Sequence, residues 1–192
     1  MTCICGAVDI KEVCIGSDSV MYKSNNMIIQ PNLIVYKKDG IIFGILAPHN
    51  IVYYIRNTFK IPERKVETIE HYMSLSFFYS FRNIIPINIY VSALIGMENR
   101  LFYVNTYEGV TECIDGYYSI GNGSGVALGS LFSTSQYPAY KRVLLALSAS
   151  ENFISNVKGP FTIIGSQEHI ISEHYRSPTF YNDETQEMKQ LK

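Results

Sequence analysis

The apolar and polar positions of the chain fall into blocks with two different periods. Over residues 1–46, short runs rich in isoleucine and valine are separated by turn-forming residues, which is typical of β-strands. We predict strands at residues 2–8, 13–17, 27–29, 33–36 and 41–46. The polar turn Lys38-Asp39-Gly40 is predicted to join the last two as a hairpin.

Helical spacing replaces the strand pattern after residue 48. Apolar residues recur every three or four positions and predict helices at residues 49–59 and 66–83, separated near Pro62. Strands then return at 87–95, 101–105 and 117–120, the first two joined by the turn Glu98-Asn99-Arg100. Helices at 124–132 and 140–157 and a strand at 161–164 complete the pattern. Because strands and helices come in separate blocks, we predict a sandwich of sheets flanked by helices.

Length and composition indicate one domain. The chain has 192 residues and 47% hydrophobic content, which is enough for one substantial core. We assign residues 2–165 to that domain and residues 166–192 to a C-terminal extension. The extension ends in a polar run at 182–192 that has little to bury, so a terminal arm is expected there.

Charge and cysteine usage exclude several function classes. The formal net charge is -1, and no run of like charges forms a footprint for nucleic acid or an anionic membrane. No apolar run approaches the ~20 residues of a membrane span, so we expect no membrane association and a cytoplasmic location. Four cysteines without a CxxC pair or a secretory signal are expected to be reduced, buried thiols.

Neither a metal nor a cofactor is predicted. His49, His71, His169 and His174 are scattered, and the His169/His174 and Cys3/Cys5 spacings match no metal site. The acidic residues near the first turn and at the start of the second helix are expected to be solvated: Asp9, Glu12, Glu63, Glu67 and Glu70.

The glycine-rich stretch at 120–125 lies between a predicted strand and a predicted helix. Such a loop can cradle a phosphate, but the Gly-Lys-Ser/Thr of a P-loop is absent. A dinucleotide fold would also need a parallel strand soon afterwards, whereas another helix follows. We therefore predict a tight turn that lets backbone segments pack closely.

Thr2 is the first candidate for chemistry. Removal of Met1 would give Thr2 a free α-amine with a pKa near ~8, which can accept the proton of its own hydroxyl. Thr2 would then be a nucleophile and base in one residue. The alternative is that Thr2 only begins the first strand.

Three stretches resemble the proteasome and HslV group of N-terminal nucleophile hydrolases, especially the short HslV-like proteins of bacteria and their phages. They are TCICGAVDIKEVCIGSDS, IGNGSGVALGSLF and NVKGPFTIIG, and the resemblance extends over about residues 2–165. It implies a four-layer α/β/β/α sandwich of the α+β type. It also implies that Thr2 is the nucleophile and that Asp18 is the aspartate of the family's GADS-type segment.

The chain departs from the family at several site positions. The family's lysine position falls on Asn32, and Lys37 and Lys38 are too far along the strand, over about 10 Å, to replace it. Asn122 stands where the family's GSG turn has its serine, and Ala47 and Pro48 replace glycines in the turn that supplies an oxyanion donor. The late acidic and serine pair finds only Ser155 and Asn156. The candidate site residues are therefore Thr2, Asp18, Asn32 and Asn122, in a site that looks degraded.

Two functions remain open. The first is a non-catalytic subunit that forms homo-oligomeric rings, for which the aromatic-rich helix at 72–81 is a candidate contact unless both its sides are buried in the domain. The tyrosine- and isoleucine-rich, tryptophan-free composition is typical of an AT-rich genome, so such a ring could belong to a phage virion tail or neck with other structural proteins. The second is an active threonine peptidase or amidase. Retention of Met1 would exclude the second, because the nitrogen of Thr2 would then be an amide.

Overall fold

Two five-stranded sheets organise the chain in a computed structural model that describes residues 2–23, 26–29, 34–65, 67–167 and 170–173. The strands are β1 (Cys3–Val8), β2 (Val13–Ser17), β3 (Val20–Lys23), β4 (Asn26–Ile29), β5 (Val35–Lys38), β6 (Ile41–Leu46), β7 (Ser92–Met97), β8 (Arg100–Asn105), β9 (Gly109–Glu112), β10 (Tyr117–Gly121), β11 (Phe161–Gly165) and β12 (Ile170–Glu173). The helices are α1 (His49–Thr58), α2 (Ile69–Tyr72), a π-helical segment (Met73–Phe77), α3 (Phe78–Asn83), α4 (Ser124–Ser133) and α5 (Ala139–Phe153).

The sheets lie face to face with helices outside them. The first has the strand order β10-β1-β2-β11-β12 and the second β5-β6-β7-β8-β9, with all neighbours antiparallel. Ile4 and Ile15 of the first sheet pack against Gly44 of the second, where a Cβ would lie 2.8 Å from each. Helices α4 and α5 cover the first sheet, and α1 to α3 cover the second. The predicted four-layer α/β/β/α sandwich is confirmed.

The two helical layers pack with different side chains. Against the second sheet, Phe43, Phe59, Phe77 and Phe81 form a chain of ring contacts with centroids 5.4–6.2 Å apart. Against the first sheet, half of the buried residues are alanines and cysteines. Small side chains let α5 approach the sheet closely, which places its polar groups beside the start of β1.

The helix that contains the π-helical segment is not buried on both sides. Tyr72, Met73, Phe77 and Phe81 face the core, whereas Leu75 is 43% and Tyr79 is 59% exposed. The alternative that this helix is covered on two sides within the domain is therefore wrong. The predicted start at 66 also moves, because Thr68 accepts a hydrogen bond from the backbone N–H of His71 and caps a helix that begins at Ile69. Val66 lies outside the described residues.

Other predicted boundaries need correction. The strand predicted at 87–95 begins only at Ser92, because Pro86 accepts a hydrogen bond from Ile89 in a turn. The helix predicted to reach residue 157 ends at Phe153, since Ile154 has extended dihedral angles and a turn to Val157 follows. The strand predicted at 33–36 runs from Val35 to Lys38, and Leu33 lies outside the described residues.

Three four-residue strands were not predicted, namely β3, β9 and β12. Strands this short offer too few alternating positions to give a periodic signal. β12 pairs with β11 at the edge of the first sheet. Residues 174–192, which include the predicted polar arm, lie outside the described residues.

Candidate functional site

Thr2 lies immediately before β1, the strand of the first sheet that begins at Cys3. Its side chain and backbone are 5% exposed. Its carbonyl oxygen accepts a hydrogen bond of 2.9 Å from the backbone N–H of Asn122. Asn122 therefore reaches Thr2 through its backbone, in the turn between β10 and α4.

The glycine turn fits closely around the start of β1. Gly121 has φ +93°, and a Cβ there would lie 2.1 Å from the carbonyl oxygen of Thr2. At Gly123 a Cβ would lie 2.8 Å from the Sγ of Cys3. Only glycine allows this approach, so the prediction of a tight packing turn is confirmed.

Asp18 follows β2 directly and faces the same strand end. It is 0% exposed, and its Oδ1 accepts a 2.9 Å hydrogen bond from the backbone N–H of Cys3. The Thr2 hydroxyl and the backbone N–H groups of Val20 and Lys158 also donate to its carboxylate. The structure thus brings Thr2 and Asp18 together, as the resemblance implies.

Burial dominates the protonation of Asp18. Desolvation raises the pKa of its carboxyl group from 3.8 to about 6, even though the hydrogen bonds from Cys3, Thr2, Val20 and Lys158 favour the ionised form. The groups that counteract the effect of burial on this pKa are thus neutral hydrogen-bond donors. A carboxyl group in this position holds a proton more readily than one offset by a cation.

The nearby lysines point elsewhere. The Nζ of Lys37 donates to the carbonyl of Ser166 at 2.7 Å, and the Nζ of Lys38 donates to that of Phe59 at 2.6 Å. Both ammonium groups are therefore bound to carbonyl groups of other segments, in agreement with the expectation that neither replaces the family lysine. The Nζ of Lys158, whose backbone contacts Asp18, is 3.3 Å from the carbonyl of Glu151. Asn32 and Met1 lie outside the described residues, so the role of Asn32 stays a prediction.

Two buried serines near Thr2 are absent from the sequence-based set. The hydroxyl of Ser150, on α5, contacts the carbonyl of Gly123 at 3.1 Å and accepts a weak hydrogen bond from the Sγ of Cys3 at 3.7 Å. The hydroxyl of Ser119, on β10, donates to the carbonyl of Ile4 at 2.9 Å. Helical periodicity counts serine as polar and so places it outside the core, whereas Ser150 is fully buried. Ser155, which the resemblance had favoured, is exposed after the end of α5.

The cysteines beside the site are inert thiols. Cys3, Cys5 and Cys14 are buried and free, and burial raises the pKa of Cys3 to about 11. A thiol with that pKa stays protonated at neutral pH and is a poor nucleophile. The expectation of reduced thiols fits these three, whereas Cys113 is only half-buried.

The segment at 44–48 separates into a strand part and a helix cap. Gly44 lies inside β6, and Pro48 is the N-cap of α1 with φ -53°. Proline has no N–H to offer to an oxyanion, and the carbonyl of Pro48 accepts from Ile51. Burial lowers the pKa of His49, the next residue, so its neutral form is favoured.

Comparisons with known proteins identify the fold. No family model and no curated protein sequence matches the chain. Among solved structures it is similar to Thiobacillus denitrificans BPH, with a TM-score of 0.69 and 13% identity over 85% of this chain and 96% of that one. BPH was also solved in complex with epoxomicin.

Two further likenesses have the same character. HslV from Trypanosoma brucei matches with a TM-score of 0.65 and 11% identity, over 85% of this chain and 98% of that one. Anbu from Yersinia bercovieri matches with a TM-score of 0.64 and 14% identity, over 86% of this chain and 81% of that one. The chain therefore has the HslV-like, proteasome-like N-terminal nucleophile hydrolase fold, at identities that establish the fold alone.

Proposed function

We propose that this chain is a non-catalytic proteasome-like subunit that assembles with copies of itself into a ring. The observation that carries the proposal is the closed environment of Thr2. A nucleophile has to reach its substrate, but Thr2 is 5% exposed and its hydroxyl donates to a buried carboxyl group. With a pKa raised to about 6, that carboxyl group is mostly ionised at neutral pH, and the carboxylate would favour the protonated form of a Thr2 α-amine, which is a poor base.

The missing cation supports the same proposal. The family's lysine tunes the amine and hydroxyl of the threonine, and its position here falls on Asn32. The ammonium groups of Lys37, Lys38 and Lys158 are hydrogen-bonded to carbonyls away from Thr2. Loss of such activation costs an enzyme several kcal/mol of transition-state stabilisation, on the order of 10²–10⁴ in rate.

Ring assembly needs a surface that remains apolar in the single subunit. The helical layer over the second sheet exposes four large side chains, which we call the outer helical patch: Tyr53, Tyr54, Leu75 and Tyr79, between 43% and 62% exposed. Exposed apolar and aromatic residues of this kind mark protein–protein contacts. We assign the ring contact to this patch, which includes the helix at 72–81.

Composition supports a proposal for the wider setting of the ring. The AT-rich character and the degraded site suit a structural ring in a phage tail or neck, in contact with other virion proteins, or a cytoplasmic assembly. No helix in the described part of the chain is long and apolar enough to cross a membrane.

A threonine peptidase or amidase is the second candidate. The contact between the Thr2 hydroxyl and Asp18 favours it, because the two residues expected of the family do meet. BPH, which shares the fold, was solved with epoxomicin bound. For this chain to react in the same manner, Met1 would have to be removed and Thr2 would have to become accessible.

Intact mass spectrometry before and after incubation with epoxomicin separates the two candidates. We expect a mass that includes Met1 and no covalent adduct. A mass without Met1, together with an adduct that is absent from Thr2→Ala, would establish the peptidase instead.

Ring assembly has its own test by size-exclusion chromatography with light scattering. We expect a homo-oligomer that Tyr79→Glu dissociates, because a charge would replace an aromatic contact in the outer helical patch. Phe132→Glu is the matched control, since Phe132 is 73% exposed on α4 in the opposite helical layer. A stable monomer of the unmodified chain at micromolar concentration would remove the ring.

A further inference from the structure

A cavity of about 870 Å³ lies at the end of the first sheet opposite Thr2. We call it the hairpin cavity, because its walls are the turn between β1 and β2, the loop at 135–138 before α5, and the end of β11. β1 is six residues long, so Val8 at the cavity lies about 20 Å from Thr2. The volume is comparable to that of pockets for drug-sized ligands, about 300–1,000 Å³, so several side chains fit inside it.

Charged residues that line the hairpin cavity are bonded to the protein itself. The two Nη atoms of Arg142 donate to the carbonyl groups of Val8 at 3.4 Å and Leu131 at 2.9 Å. The carboxylate of Glu12 accepts a hydrogen bond from the thiol of Cys14. Aliphatic and aromatic side chains contribute much of the remaining wall: Val8, Pro138, Ile163, Tyr137 and Tyr140. The cavity therefore suits an apolar side chain better than a polar small molecule.

A fully exposed isoleucine stands at the edge of the same cavity. Ile10, at the tip of the β1–β2 turn, is 100% exposed and belongs to the lining. The turn that carries it is held by Asp9, whose carboxylate accepts from the backbone N–H of Lys11 at 2.7 Å and from that of Ala139, the first residue of α5, at 2.7 Å. Ile10 is thus presented to solvent on a turn that is tied to a helix.

Two further hydrogen bonds fix the position of this turn. Gln167 donates to the carbonyl of Lys11 at 2.9 Å, and Asn99 donates to the carbonyl of Asp9 at 2.9 Å. The turn is therefore also tied to the residues after β11 and to the second sheet. Because Ile10 is held in place before any contact forms, little conformational entropy is lost when it packs against a partner.

A protruding side chain and a cavity on one surface are complementary to a second copy of that surface. When two copies meet about a two-fold axis beside the turn, Ile10 of each copy enters the hairpin cavity of the other. Both contacts then form together, as in an isologous interface. Two isoleucines that are exposed in the single chain are thereby moved from water to apolar walls.

The charges around the hairpin cavity fit this pairing. The acidic residues Asp9 and Glu12 balance the basic residues Lys11 and Arg142, so the lining has no formal net charge. A surface that pairs with itself cannot carry an excess of one sign, because like charges would meet. Lys11 is exposed beside Ile10, and Asp9, whose pKa is below its usual value, is ionised at neutral pH. A two-fold pair brings Lys11 of one copy toward Asp9 of the other.

We propose that the hairpin cavity is a contact between two copies of this chain, which pair about a two-fold axis with Ile10 of each copy inserted against the tyrosine and proline walls of the other. The contact is separate from the outer helical patch, because the cavity is formed by the first sheet and α5 whereas the patch lies over the second sheet. The pair therefore does not depend on whether the chain also forms a ring.

Light scattering on the full-length Tyr79→Glu variant isolates the pair from the contact assigned to the outer helical patch. We expect a mass of two chains that falls to one chain on dilution. Ile10→Asp in this background is expected to raise the dissociation constant of the pair at least about thirtyfold, because a carboxylate replaces a buried apolar anchor. A mass of one chain for Tyr79→Glu at every concentration would leave the cavity to another occupant and overturn the proposal.

The same measurement distinguishes failure of the pair from failure of the proposed ring contact. If Tyr79→Glu remains a larger oligomer, the outer helical patch is not the ring contact. Ile10→Asp is then expected to halve the mass of that oligomer, and an unchanged mass overturns the pair.

Ile114→Asp is the matched control for Ile10→Asp. Ile114 is 92% exposed in the neighbouring turn between β9 and β10, and it lies outside the lining of the cavity. This turn is joined to β1 by the hydrogen bond from Val8 to the carbonyl of Gly116. The dissociation constant is expected to change by less than about twofold. Equal losses in the two variants would show a general effect of charge at this end of the molecule and would overturn the proposal.

Ser135→Trp tests the contact from the side of the cavity. Ser135 is exposed in the loop before α5, so a bulky side chain there occupies the cavity without entering the core. We expect the pair to weaken at least about tenfold. Ser133→Trp, at the exposed end of α4 and outside the lining, should leave the pair unchanged. An unweakened pair in Ser135→Trp would refute insertion into the cavity.

Lys11→Glu tests the charge complementarity of the pair. The new carboxylate would face Asp9 of the other copy, so we expect the pair to weaken about tenfold, and less at high salt. Lys60→Glu, exposed after α1, is the control and should have no effect. Equal affinities of Lys11→Glu and Lys60→Glu would overturn the two-fold arrangement.

Discussion

Asp9 and Asp18 lie at opposite ends of the β1–β2 hairpin, and the pKa values of their carboxyl groups are shifted in opposite directions. Each accepts backbone N–H groups from other segments. For Asp18, burial outweighs these bonds and raises the pKa to about 6. For Asp9, burial also raises the pKa, but the N–H groups of Ala139, Lys11 and Glu12 together outweigh it and leave the pKa below its usual value. Hydrogen bonds from backbone N–H groups therefore favour the ionised form of Asp9, whereas at Asp18 they do not offset the effect of burial.

The difference shows how this fold separates rigidity from chemistry. At the Asp9 end, solvent exposure and hydrogen bonds keep the carboxylate ionised at neutral pH, and the carboxylate joins the β1–β2 turn to the start of α5. At the Asp18 end, complete burial makes ionisation costly, which is the condition under which catalytic carboxyl groups are tuned.

The largest expected effect is that of a substitution in the glycine turn that packs against Thr2. Gly121→Ala should lower the free energy of unfolding by about 3 kcal/mol or more, because φ +93° is strained for alanine and the new Cβ would meet the carbonyl of Thr2. Urea denaturation measures the change. Gly109→Ala, with φ +100° but nothing within 4 Å of the new Cβ, isolates the strain and should cost about 1 kcal/mol. Equal losses in the two variants would refute a close contact at Gly121.

The next effect is the pH dependence that Asp18 contributes to the stability. Its folded pKa of about 6 exceeds the unfolded value of 3.8, so the folded state binds the extra proton between these values. The contribution of Asp18 is complete below pH 3.8 and is lost as the pH rises through 6, by about 3 kcal/mol in total. Asp18→Asn should therefore gain stability relative to the parent as the pH rises from 4 to 7. Urea titrations at each pH measure this difference, and a constant difference would contradict the raised pKa.

Asp9→Asn should give the opposite sign and a smaller size. It weakens the contact with the N–H of Ala139 and should cost about 1 kcal/mol at neutral pH. Because the folded pKa is lowered, this stabilisation is present above the unfolded pKa and lost as the pH falls through the folded value. The cost of the substitution should therefore shrink in acid. If its cost instead grows toward low pH, the comparison between the two aspartates fails.

The smallest expected effect is that of Thr2→Val. Loss of one hydroxyl contact with Asp18 should cost at most about 1 kcal/mol and leave the oligomeric state unchanged. Since the Thr2 hydroxyl lowers the pKa of Asp18, the pH at which the Asp18 contribution disappears should rise. Thr111→Val, on the exposed part of β9, is the control and should change neither quantity. Collapse of the oligomer in Thr2→Val alone would give Thr2 a structural role larger than the proposal allows.

The sequence indicated most of the fold because its strands are long apolar runs bounded by turns. β2 and β6 were predicted at their observed bounds, and the two-residue turns at Asp39-Gly40 and Glu98-Asn99 adopt the positive φ values that such hairpins need. The strand that contains β7 was predicted to begin too early, because the turn before it is rich in isoleucine and so resembles a strand in composition. Composition does not distinguish the two when a proline starts the turn.

The candidate site was only partly accessible from the sequence. Thr2 and Asp18 were identified through a resemblance, and their contact depends on β1 and β2 being adjacent, as is usual for two strands joined by a short turn. Ser150 could not be identified, because its role depends on how closely α5 approaches Gly123 across 27 positions of sequence.

The strand order of the first sheet also has a consequence for synthesis. β1 and β2 are made first, whereas β10, which covers the outer edge of β1, ends at Gly121, and β11, which covers the outer edge of β2, ends at Gly165. This hairpin therefore has two open edges until β10 is made and one open edge until β11 is made. Open edges with buried-type side chains are templates for pairing with other chains. We therefore expect nascent chains truncated before β10 to aggregate or to recruit chaperones, whereas chains that include β11 should be released in a protected form. The segment around Thr2 would thus be among the last parts of the molecule to acquire its final neighbours, although it is the first to be translated.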